Sequence, residues 1–357
     1  MRLLIYGITG YTGGLVAERA AELGLKPTVA GRDPDRTRAV AERYGFAWTA
    51  FRLDDKERLR EALGAVDAVL HLAGPFSATA SPMAAACVAT GTHYLDITGE
   101  IAVFEALAGI DREAREAGVM LMPGCGFDVV PSDCLAAHVK RRLPDAGALD
   151  IFITGLGHTS RGTAKTAVES IRYPARVRRN GRIVALNKPL RRSFRLPERE
   201  APGISVSWGD VATAWYTTGI PDITVYFEEA GPLKALGDLN PLLRWLLSTP
   251  IGQRYLKAEI DKRPPGPTPE QRAKSFALIL AEARNAKGET ARALLRTPEG
   301  YTLTAMTTLE IARRVIEEGA ARPGFQTPAR VFGADFILEF PGCERRDLDA
   351  GEPRAAG

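Results

Sequence analysis

The chain has 357 residues, of which 45% are hydrophobic and 25% charged; this is an ordinary globular composition in a chain too long for one ordinary core. Its 47 basic and 43 acidic residues give a formal net charge of +4, which provides no argument for a nucleic-acid partner. The cysteines and histidines lack the spacing of a metal site, so no metal is expected. No apolar run approaches the length of about 18 residues that a membrane span needs, and we expect a soluble cytoplasmic protein.

Short apolar strands alternate with helices in the N-terminal part of the chain. Strands are predicted at residues 3–6, 27–31, 46–53, 65–72, 93–97 and 119–122. Helices are predicted at 14–23, 34–44, 55–63, 78–90 and 101–117. Such alternation is typical of an α/β fold with a parallel sheet covered on both faces. Residues 1–130 are therefore predicted to form a Rossmann domain.

The pattern changes after residue 130. One more helix is predicted at 131–143, followed by short extended stretches separated by Gly and Pro, and by a hairpin at 276–297. These features predict an inserted α+β domain over 131–300, with a mainly antiparallel sheet, that serves substrate binding or oligomerisation. Residues 301–345 are predicted to be helices that pack back on the Rossmann domain, and 346–357 a mobile tail.

A glycine-rich loop is the strongest local signal for a ligand. Its glycines are Gly7, Gly10 and Gly13, and it follows the first strand and opens the first helix. Glycines permit a tight turn and let backbone N–H groups approach a diphosphate at a helix N-terminus. The loop also contains Thr9, Tyr11 and Thr12, and the two threonine hydroxyls can add hydrogen bonds. The alternative is a turn that needs glycine for its backbone conformation alone.

The end of the second strand indicates which dinucleotide is bound. Gly31 is followed by Arg32, where NAD-binding sites usually carry a carboxylate for the ribose. Arg32, with Arg36 one turn later, suits the 2′-phosphate of NADP, and NADPH is favoured over NADH. The alternative is that both arginines are merely solvated while Asp33 contacts the ribose.

The fourth strand ends in Ala73, Gly74 and Pro75, a small turn at the carboxyl edge of the sheet. Ligands of doubly wound sheets lie beyond this edge, so the turn is a third candidate cofactor contact. An ordinary strand-to-helix turn is the alternative.

Several segments together resemble the saccharopine dehydrogenase-like oxidoreductase family, whose subgroups include trans-acting enoyl reductases. The segments are 7–13, 30–32, 72–76, 93–100, 123–131, 160–164, 208–210, 218–221 and 297–301. The resemblance spans nearly the whole chain. It implies a Rossmann domain that binds NAD(P), an inserted α+β domain, and C-terminal helices that return to the first domain. It also implies hydride transfer between NADP(H) and a C=N or C=C bond.

Two acidic residues are candidates for the catalytic acid. Asp128 lies in an apolar loop after the sixth strand, where burial would keep its carboxyl protonated, and Glu100 follows the fifth strand. The alternatives are that Asp128 caps the next helix, or pairs with a basic residue while Ser132 caps it, and that Glu100 is stabilised by a helix dipole. Cys125 fits a small buried residue better than a nucleophile.

The hydrophobic segment 239–247 is interpreted as a core helix or dimer contact, or else as a surface for membrane or lipid-like substrate. The main functional hypothesis is an NADP(H)-dependent oxidoreductase of an unidentified small-molecule or lipid-like substrate, with a homodimer as the expected assembly. One alternative is an enoyl reductase of a lipid- or polyketide-linked substrate. The other is a non-catalytic NADP(H)-binding sensor or scaffold.

Overall fold

The computed structural model describes residues 1–155, 157, 159–170, 173–230 and 241–348, which form two sheets surrounded by helices. In chain order the strands are β1 (Leu3–Tyr6), β2 (Thr28–Gly31), β3 (Ala47–Ala50), β4 (Ala68–His71), β5 (His93–Asp96), β6 (Met120–Met122), β7 (Ala148–Thr154), β8 (Arg176–Arg179), β9 (Arg182–Ala185), β10 (Arg191–Arg195), β11 (Glu200–Ser205), β12 (Asp222–Glu228), β13 (Phe276–Arg284), β14 (Thr290–Pro298), β15 (Gly324–Phe325) and β16 (Glu344–Leu348).

The helices connect these strands and pack against both sheets. They are α1 (Tyr11–Glu22), α2 (Pro34–Tyr44), α3 (Lys56–Gly64), α4 (Phe76–Thr90), α5 (Ile101–Ala108), α6 (Asp111–Glu116), α7 (Val130–Arg142), α8 (Arg161–Ser170), α9 (Asp210–Thr218), α10 (Pro241–Ser248), α11 (Pro250–Asp261), α12 (Pro269–Lys274), α13 (Gly300–Glu317) and α14 (Pro328–Phe332), with a 3-10 turn at Phe336–Glu339. Within the described ranges, no helix combines the length and the apolar character needed to cross a bilayer.

The first sheet is parallel and has the strand order β15-β6-β5-β4-β1-β2-β3. Its six N-terminal strands follow the order of a doubly wound dinucleotide-binding sheet. The central strands β1 and β4 are buried along their whole length, as their continuous apolar sequences predicted. The predicted Rossmann fold is confirmed.

The seventh strand of this sheet comes from the far end of the chain. β15 pairs with β6, and the Phe325 N–H donates to the carboxylate of Asp111 at 2.7 Å. In the same C-terminal part, α13 packs against α1. The predicted return of the C-terminal helices to the Rossmann domain is confirmed, and a strand returns with them.

The second sheet has the order β10-β11-β12-β7-β13-β14-β16, with β8 and β9 joined at β12. It is mainly antiparallel, as predicted, but β7 and β12 run parallel, so the sheet is mixed. The β13–β14 hairpin is confirmed. Helix α7 lies against β13, β14 and α9 and is buried on nearly every side. It therefore packs on the second sheet, and its buried side chains belong to a hydrophobic core that also includes residues of the first sheet.

Three local predictions need correction. The helix predicted at 101–117 is two helices, because the chain turns at Gly109 and Ile110 and Asp111 starts α6 while holding Phe325. Residues 344–348, which include the start of the predicted tail, form β16 against β14. Helix α9 stands where only extended stretches and loops were expected. Residues 239 and 240 and the tail from 349 lie outside the described residues.

Candidate functional site

The glycine loop packs too tightly to accept side chains at two of its positions. Gly7 has φ of +95°, and a Cβ added there would lie 2.7 Å from the Ala73 nitrogen. A Cβ at Gly13 would lie 2.4 Å from the Gly7 oxygen and 2.7 Å from the Ile8 Cα. Both glycines are thus required for the approach of α1 to β1 and of the loop to the turn after β4.

The N-terminus of α1 is open. Gly10 is its exposed N-cap, no side chain caps the helix, and its first turn carries no acidic residue. The first backbone N–H groups of α1, including those of Thr12 and Gly13, have no partner within the helix. These N–H groups and the positive end of the helix dipole form a cradle that fits a diphosphate.

Two arginines lie at the end of β2, beside this cradle. Arg36 donates to the Thr9 carbonyl at 3.1 Å, and Arg32 is exposed with no hydrogen-bond or ion-pair partner among the described residues. Asp33 caps α2 by accepting the Arg36 backbone N–H at 3.1 Å. A Cβ at Gly31 would lie 2.7 Å from the Thr37 hydroxyl, so this end of β2 is closely packed. The arrangement fits a second, separate phosphate group near Arg32.

The Tyr11 side chain faces the second domain and not the cradle. Its hydroxyl donates to the Pro267 carbonyl at 2.6 Å and accepts from Arg272 at 2.9 Å. Its ring meets the ring of Tyr301 edge-on, with 5.0 Å between centroids, and a Cβ at Gly266 would touch it at 2.6 Å. Only the backbone of Tyr11 remains a candidate cofactor contact.

The turn formed by Ala73, Gly74 and Pro75 lies beside the glycine loop, as its place at the end of β4 predicted. Ala73 packs on Gly7, and the Thr79 hydroxyl donates to the Ala73 carbonyl at 2.7 Å. The Gly74–Pro75 peptide is cis. Gly74 and Pro75 are exposed, so their backbone is available at the carboxyl edge of the sheet.

Glu100 acts as a cap for α4. Its two carboxyl oxygens accept the backbone N–H groups of Phe76 at 3.0 Å and Ser77 at 3.1 Å. Burial raises the pKa of Glu100, and these two N–H donors oppose the rise. Because both carboxyl oxygens of Glu100 accept hydrogen bonds, Glu100 holds the turn after β4 against β5. This is a structural role.

We expect Glu100→Ala to lower the free energy of unfolding by about 1–2 kcal/mol, because it leaves two helix N–H groups without their acceptor. Glu100→Gln, which keeps one acceptor oxygen, should lose less. Urea denaturation of the two variants measures this difference. A large drop in the turnover number of Glu100→Gln, with the free energy of unfolding unchanged, would instead support a catalytic role for Glu100.

Asp128 sits at the carboxyl end of β6 with its carboxyl group unengaged. It is partly buried and has no hydrogen-bond partner in the described part of the chain. A Cβ added to Gly99, after β5, would lie 2.9 Å from Asp128 Oδ2. Burial raises the pKa of Asp128 to about 7. Among the described residues, Asp128 neither caps the next helix nor forms an ion pair.

The loop that carries Asp128 is fixed by α13. The Thr304 hydroxyl accepts the Phe127 N–H at 3.0 Å, and the Thr307 hydroxyl donates to the Cys125 carbonyl at 2.8 Å. Cys125 is buried, and burial raises the pKa of its thiol, which excludes a reactive thiolate. The backbone of the loop is thus satisfied while the Asp128 side chain stays available.

Tyr301 closes the other side of the Asp128 region and was not among the predicted site residues. Its hydroxyl accepts the Ser160 N–H at 2.7 Å and lies 2.9 Å from the Thr163 hydroxyl. Burial raises the pKa of Tyr301, and the negative charge of nearby Asp128 acts in the same direction. The sequence signals were a tyrosine hydroxyl able to donate a proton and a position in the 297–301 segment; the structure places Tyr301 in the first turn of α13.

Three further buried carboxyls lie behind the strand ends. Asp96 accepts from the Tyr94 hydroxyl and from the Thr98 and Gly124 N–H groups, and its pKa rises to about 6 through burial. Asp133 accepts from Thr217 and from the Ala329 N–H, and Asp210 is completely buried. Asp96 and Asp133 hold loops together, whereas Asp128 remains the candidate that borders the open edge of the sheet.

The parallel sheet, the open helix N-terminus and the glycine packing define a Rossmann dinucleotide-binding domain. Residues 3–122 match the family model described as the saccharopine dehydrogenase NADP binding domain. The cofactor domain is thus of the saccharopine dehydrogenase type with NADP as its cofactor, and the resemblance to the saccharopine dehydrogenase-like family is confirmed.

Curated relatives carry the name trans-acting enoyl reductase. The protein of Mycobacterium ulcerans is 30% identical over 162 residues, which are 43% of this chain and 39% of that protein. The protein of Mycobacterium leprae is 33% identical over 149 residues, 40% of this chain and 36% of that protein. The chain therefore matches about two fifths of the length of these relatives.

A solved structure has the same fold over the whole chain. Saccharopine dehydrogenase (L-Glu forming) of Saccharomyces cerevisiae superposes with a TM-score of 0.62 at 14% sequence identity, covering 98% of this chain and 100% of that one. At this identity the likeness concerns the fold, including the inserted second sheet.

Proposed function

We propose that this protein is an NADP(H)-dependent reductase that transfers a hydride to or from a C=C or C=N bond, with Asp128 as the proton donor. The observation that carries the proposal is the free Asp128 carboxyl at the carboxyl edge of the Rossmann sheet, with its pKa raised to about 7. A carboxylic acid that is protonated near neutral pH and can reach a ligand is what proton donation requires.

The residues present fit an NADP molecule. The N–H groups at the start of α1 suit the diphosphate, while Arg32 and Arg36 suit the 2′-phosphate. The backbone of Ala73, Gly74 and Pro75 lines the same edge of the sheet. When bound, NADPH supplies the hydride. The protein's part is to hold the dinucleotide, orient the substrate and keep a proton at Asp128 Oδ2 or Oδ1.

Tyr301 supports this assignment. Its hydroxyl is held by Ser160 and Thr163 from the second domain, so the two domains meet beside Asp128. The negative charge of an ionised Asp128 is disfavoured by burial, which keeps the proton on the carboxyl until a stronger base forms on the substrate.

The names of the curated relatives favour an enoyl substrate, in which hydride addition to one carbon leaves negative charge to be protonated. We therefore propose a small-molecule or lipid-like enoyl thioester as the substrate class, and an imine as the second candidate because the fold is that of a saccharopine dehydrogenase. A cytoplasmic location and a homodimer are part of the same proposal, and sedimentation velocity of the purified protein tests the dimer.

The decisive experiment is to follow NADPH oxidation by the purified protein with an enoyl thioester, and separately with an imine formed from an amino acid and an aldehyde. Turnover of the thioester supports the enoyl proposal, and turnover of the imine alone selects the second candidate. Tight binding of NADPH with no turnover of either compound would favour the non-catalytic sensor or scaffold.

The cofactor preference has its own test at Arg32. We expect Arg32→Ala to weaken NADPH binding about 30-fold, since a charge-assisted hydrogen bond contributes roughly 2 kcal/mol, and to leave NADH binding unchanged. Arg38→Ala is the matched control, because Arg38 lies on α2, the helix that follows Arg32, and pairs with Asp35 at the surface. Calorimetric titration measures both. An equal loss for the two dinucleotides would contradict the assignment of Arg32.

A further inference from the structure

Helices α10 and α11 expose a set of large apolar side chains that do not contribute to the core. Trp245 is 64% exposed, Leu246 53%, Ile251 80% and Tyr255 64%. These four residues are called the α10–α11 patch. An 80% exposed isoleucine next to two exposed aromatic side chains marks an interaction surface, in contrast to the single exposed apolar residues found on any protein.

Helix α11 buries Gln253 and Ile260 and leaves Ile251 and Tyr255 exposed on another face. Ile251, Arg254, Tyr255 and Ala258 follow the helical spacing of one face, and all four are exposed. The packed side carries Gln253, which is buried and donates to the Val168 carbonyl at 2.9 Å. The outward apolar face is therefore imposed by the packing of α11 on α8.

The corner between the two helices is rigid. Thr249 caps α11 by accepting the Gly252 N–H at 3.2 Å, and Pro250 occupies the first helical position. A Cβ at Gly252 would lie 2.4 Å from the Leu246 oxygen, so α10 ends in tight contact with α11. The exposed side chains are accordingly presented together on a fixed pair of helices.

The surroundings of the patch are basic. Residues 250–263 contain four basic and two acidic side chains. Two of the basic side chains are in ion pairs, Lys257 with Glu169 and Lys262 with Glu259. Arg254 lies within the exposed face and has no ion-pair partner in the described ranges, and Arg263 follows at the exposed end of the helix. Exposed Trp, Tyr and aliphatic side chains with adjoining cations form the combination that inserts at the headgroup level of an anionic bilayer.

The patch is connected directly to the candidate site. The chain leaving α11 continues through Arg263, whose carbonyl accepts from Arg161 at 2.6 Å, to Pro267, whose carbonyl accepts the Tyr11 hydroxyl. The same α8 that carries α11 begins beside the Tyr301 hydroxyl. A surface bound at α10–α11 therefore lies against elements that wall the site.

We propose that the α10–α11 patch binds the surface of an anionic lipid membrane. A second copy of the chain is the other occupant to consider. A two-fold contact through the same face would bring Arg254 of each copy toward its counterpart, and like charges oppose such a contact. Anionic headgroups neutralise Arg254 and admit Ile251 and Tyr255 into the interface.

Co-sedimentation of the full chain with vesicles tests the proposal. We expect binding to vesicles of phosphatidylcholine mixed with phosphatidylglycerol, weaker binding to phosphatidylcholine alone, and weaker binding at high salt. The double variant Ile251→Ser/Tyr255→Ser should partition at least about tenfold less, because it removes the two most exposed apolar contacts of α11. Trp48→Ser is the matched control, as it removes another exposed aromatic side chain, on β3.

NADPH titration of each variant shows that it is folded, because the patch does not include the glycine loop. Absence of vesicle binding by the wild type, or equal binding by the double variant, would overturn the proposal. So would a concentration-dependent dimer, without vesicle binding, that the double variant dissociates. Vesicle binding requires no substrate, so this test is independent of the proposed reaction.

Discussion

Replacing Asp128 with asparagine should lower the turnover number for reduction by about 100- to 1,000-fold, because the asparagine amide cannot deliver the proton that a general acid supplies. NADPH binding should be unchanged, since Asp128 lies after β6 and the glycine loop lies after β1. Steady-state kinetics with the substrate identified in the reductase assay, and titration with NADPH, measure the two effects separately.

The pH profile gives a second readout of the same residue. Burial raises the pKa of Asp128 to about 7, so the protonated acid needed for reduction is present below pH 7 and is lost above it. The wild-type rate of reduction should therefore fall as the pH rises through 7, and the residual rate of Asp128→Asn should not show this decrease. If the variant still showed the decrease, another group would be responsible for it.

The free energy of unfolding should also fall as the pH rises. With a folded-state pKa above the unfolded value of 3.8, the folded protein retains a proton that the unfolded chain releases, so stability falls as the pH rises from about 4 to 7. Asp128→Asn removes this penalty, and at about 1.4 kcal/mol for each pKa unit we expect it to be more stable than the wild type at pH 9 by up to about 4 kcal/mol. At pH 4 the two proteins should be similar.

Asp133→Asn is the matched control for these experiments. Asp133 is a buried carboxyl a few residues along, but its oxygens are engaged by Thr217 and the Ala329 N–H. Its replacement should cost stability through these contacts and leave the turnover number within a few-fold of the wild type. Equal loss of turnover in both variants would mean that Asp128 acts through the structure of the loop and not as a proton donor.

Replacing Gly13 with alanine should be strongly disruptive. The new Cβ would lie 2.4 Å from the Gly7 oxygen and 2.7 Å from the Ile8 Cα, and these are backbone atoms that cannot rotate away. We expect the free energy of unfolding to fall by about 3 kcal/mol. NADPH binding should weaken by more than about tenfold, because the displaced loop no longer presents its N–H groups.

The neighbouring residue offers a precise comparison for Gly13. A Cβ at Gly14 has nothing within 4 Å, so Gly14→Ala should raise the free energy of unfolding by up to about 1 kcal/mol through helix propensity. Urea denaturation and NADPH titration of the two variants separate the effect of the steric clash from the general effect of replacing a helical glycine with alanine. Similar behaviour of the two would contradict the close approach of α1 to β1.

The Rossmann sheet was predictable because its signals are local. Each strand from β1 to β6 is a short apolar run bounded by turn residues, and the glycines fix the first turn. The β13–β14 hairpin was predictable for the same reason, since Asn285 and Gly288 mark its turn. In the second sheet, β7 pairs in parallel with β12, a strand that lies far from it in the sequence. No local sequence pattern specifies such a pairing.

Sequence patterns locate the glycines of the loop but not the partners of the side chains around it. The loop positions of Gly7, Gly10 and Gly13 follow from strand and helix boundaries. By contrast, the capping role of Glu100 depends on the distance between the turn after β4 and the end of β5. The partners of Tyr301, Ser160 and Thr163, are brought to it by the second domain, so no local sequence pattern predicted them.

The pairing of β15 with β6 limits the order in which parts of the chain can fold. During synthesis β6 leaves the ribosome early, but its outer edge stays unpaired until the entire second domain and residue 325 have followed. Helix α13, which supports α1 and fixes the Asp128 loop through Thr304, also arrives late. The nascent protein must therefore pass through a stage with an open strand edge, and chaperone dependence and aggregation should concentrate in that interval.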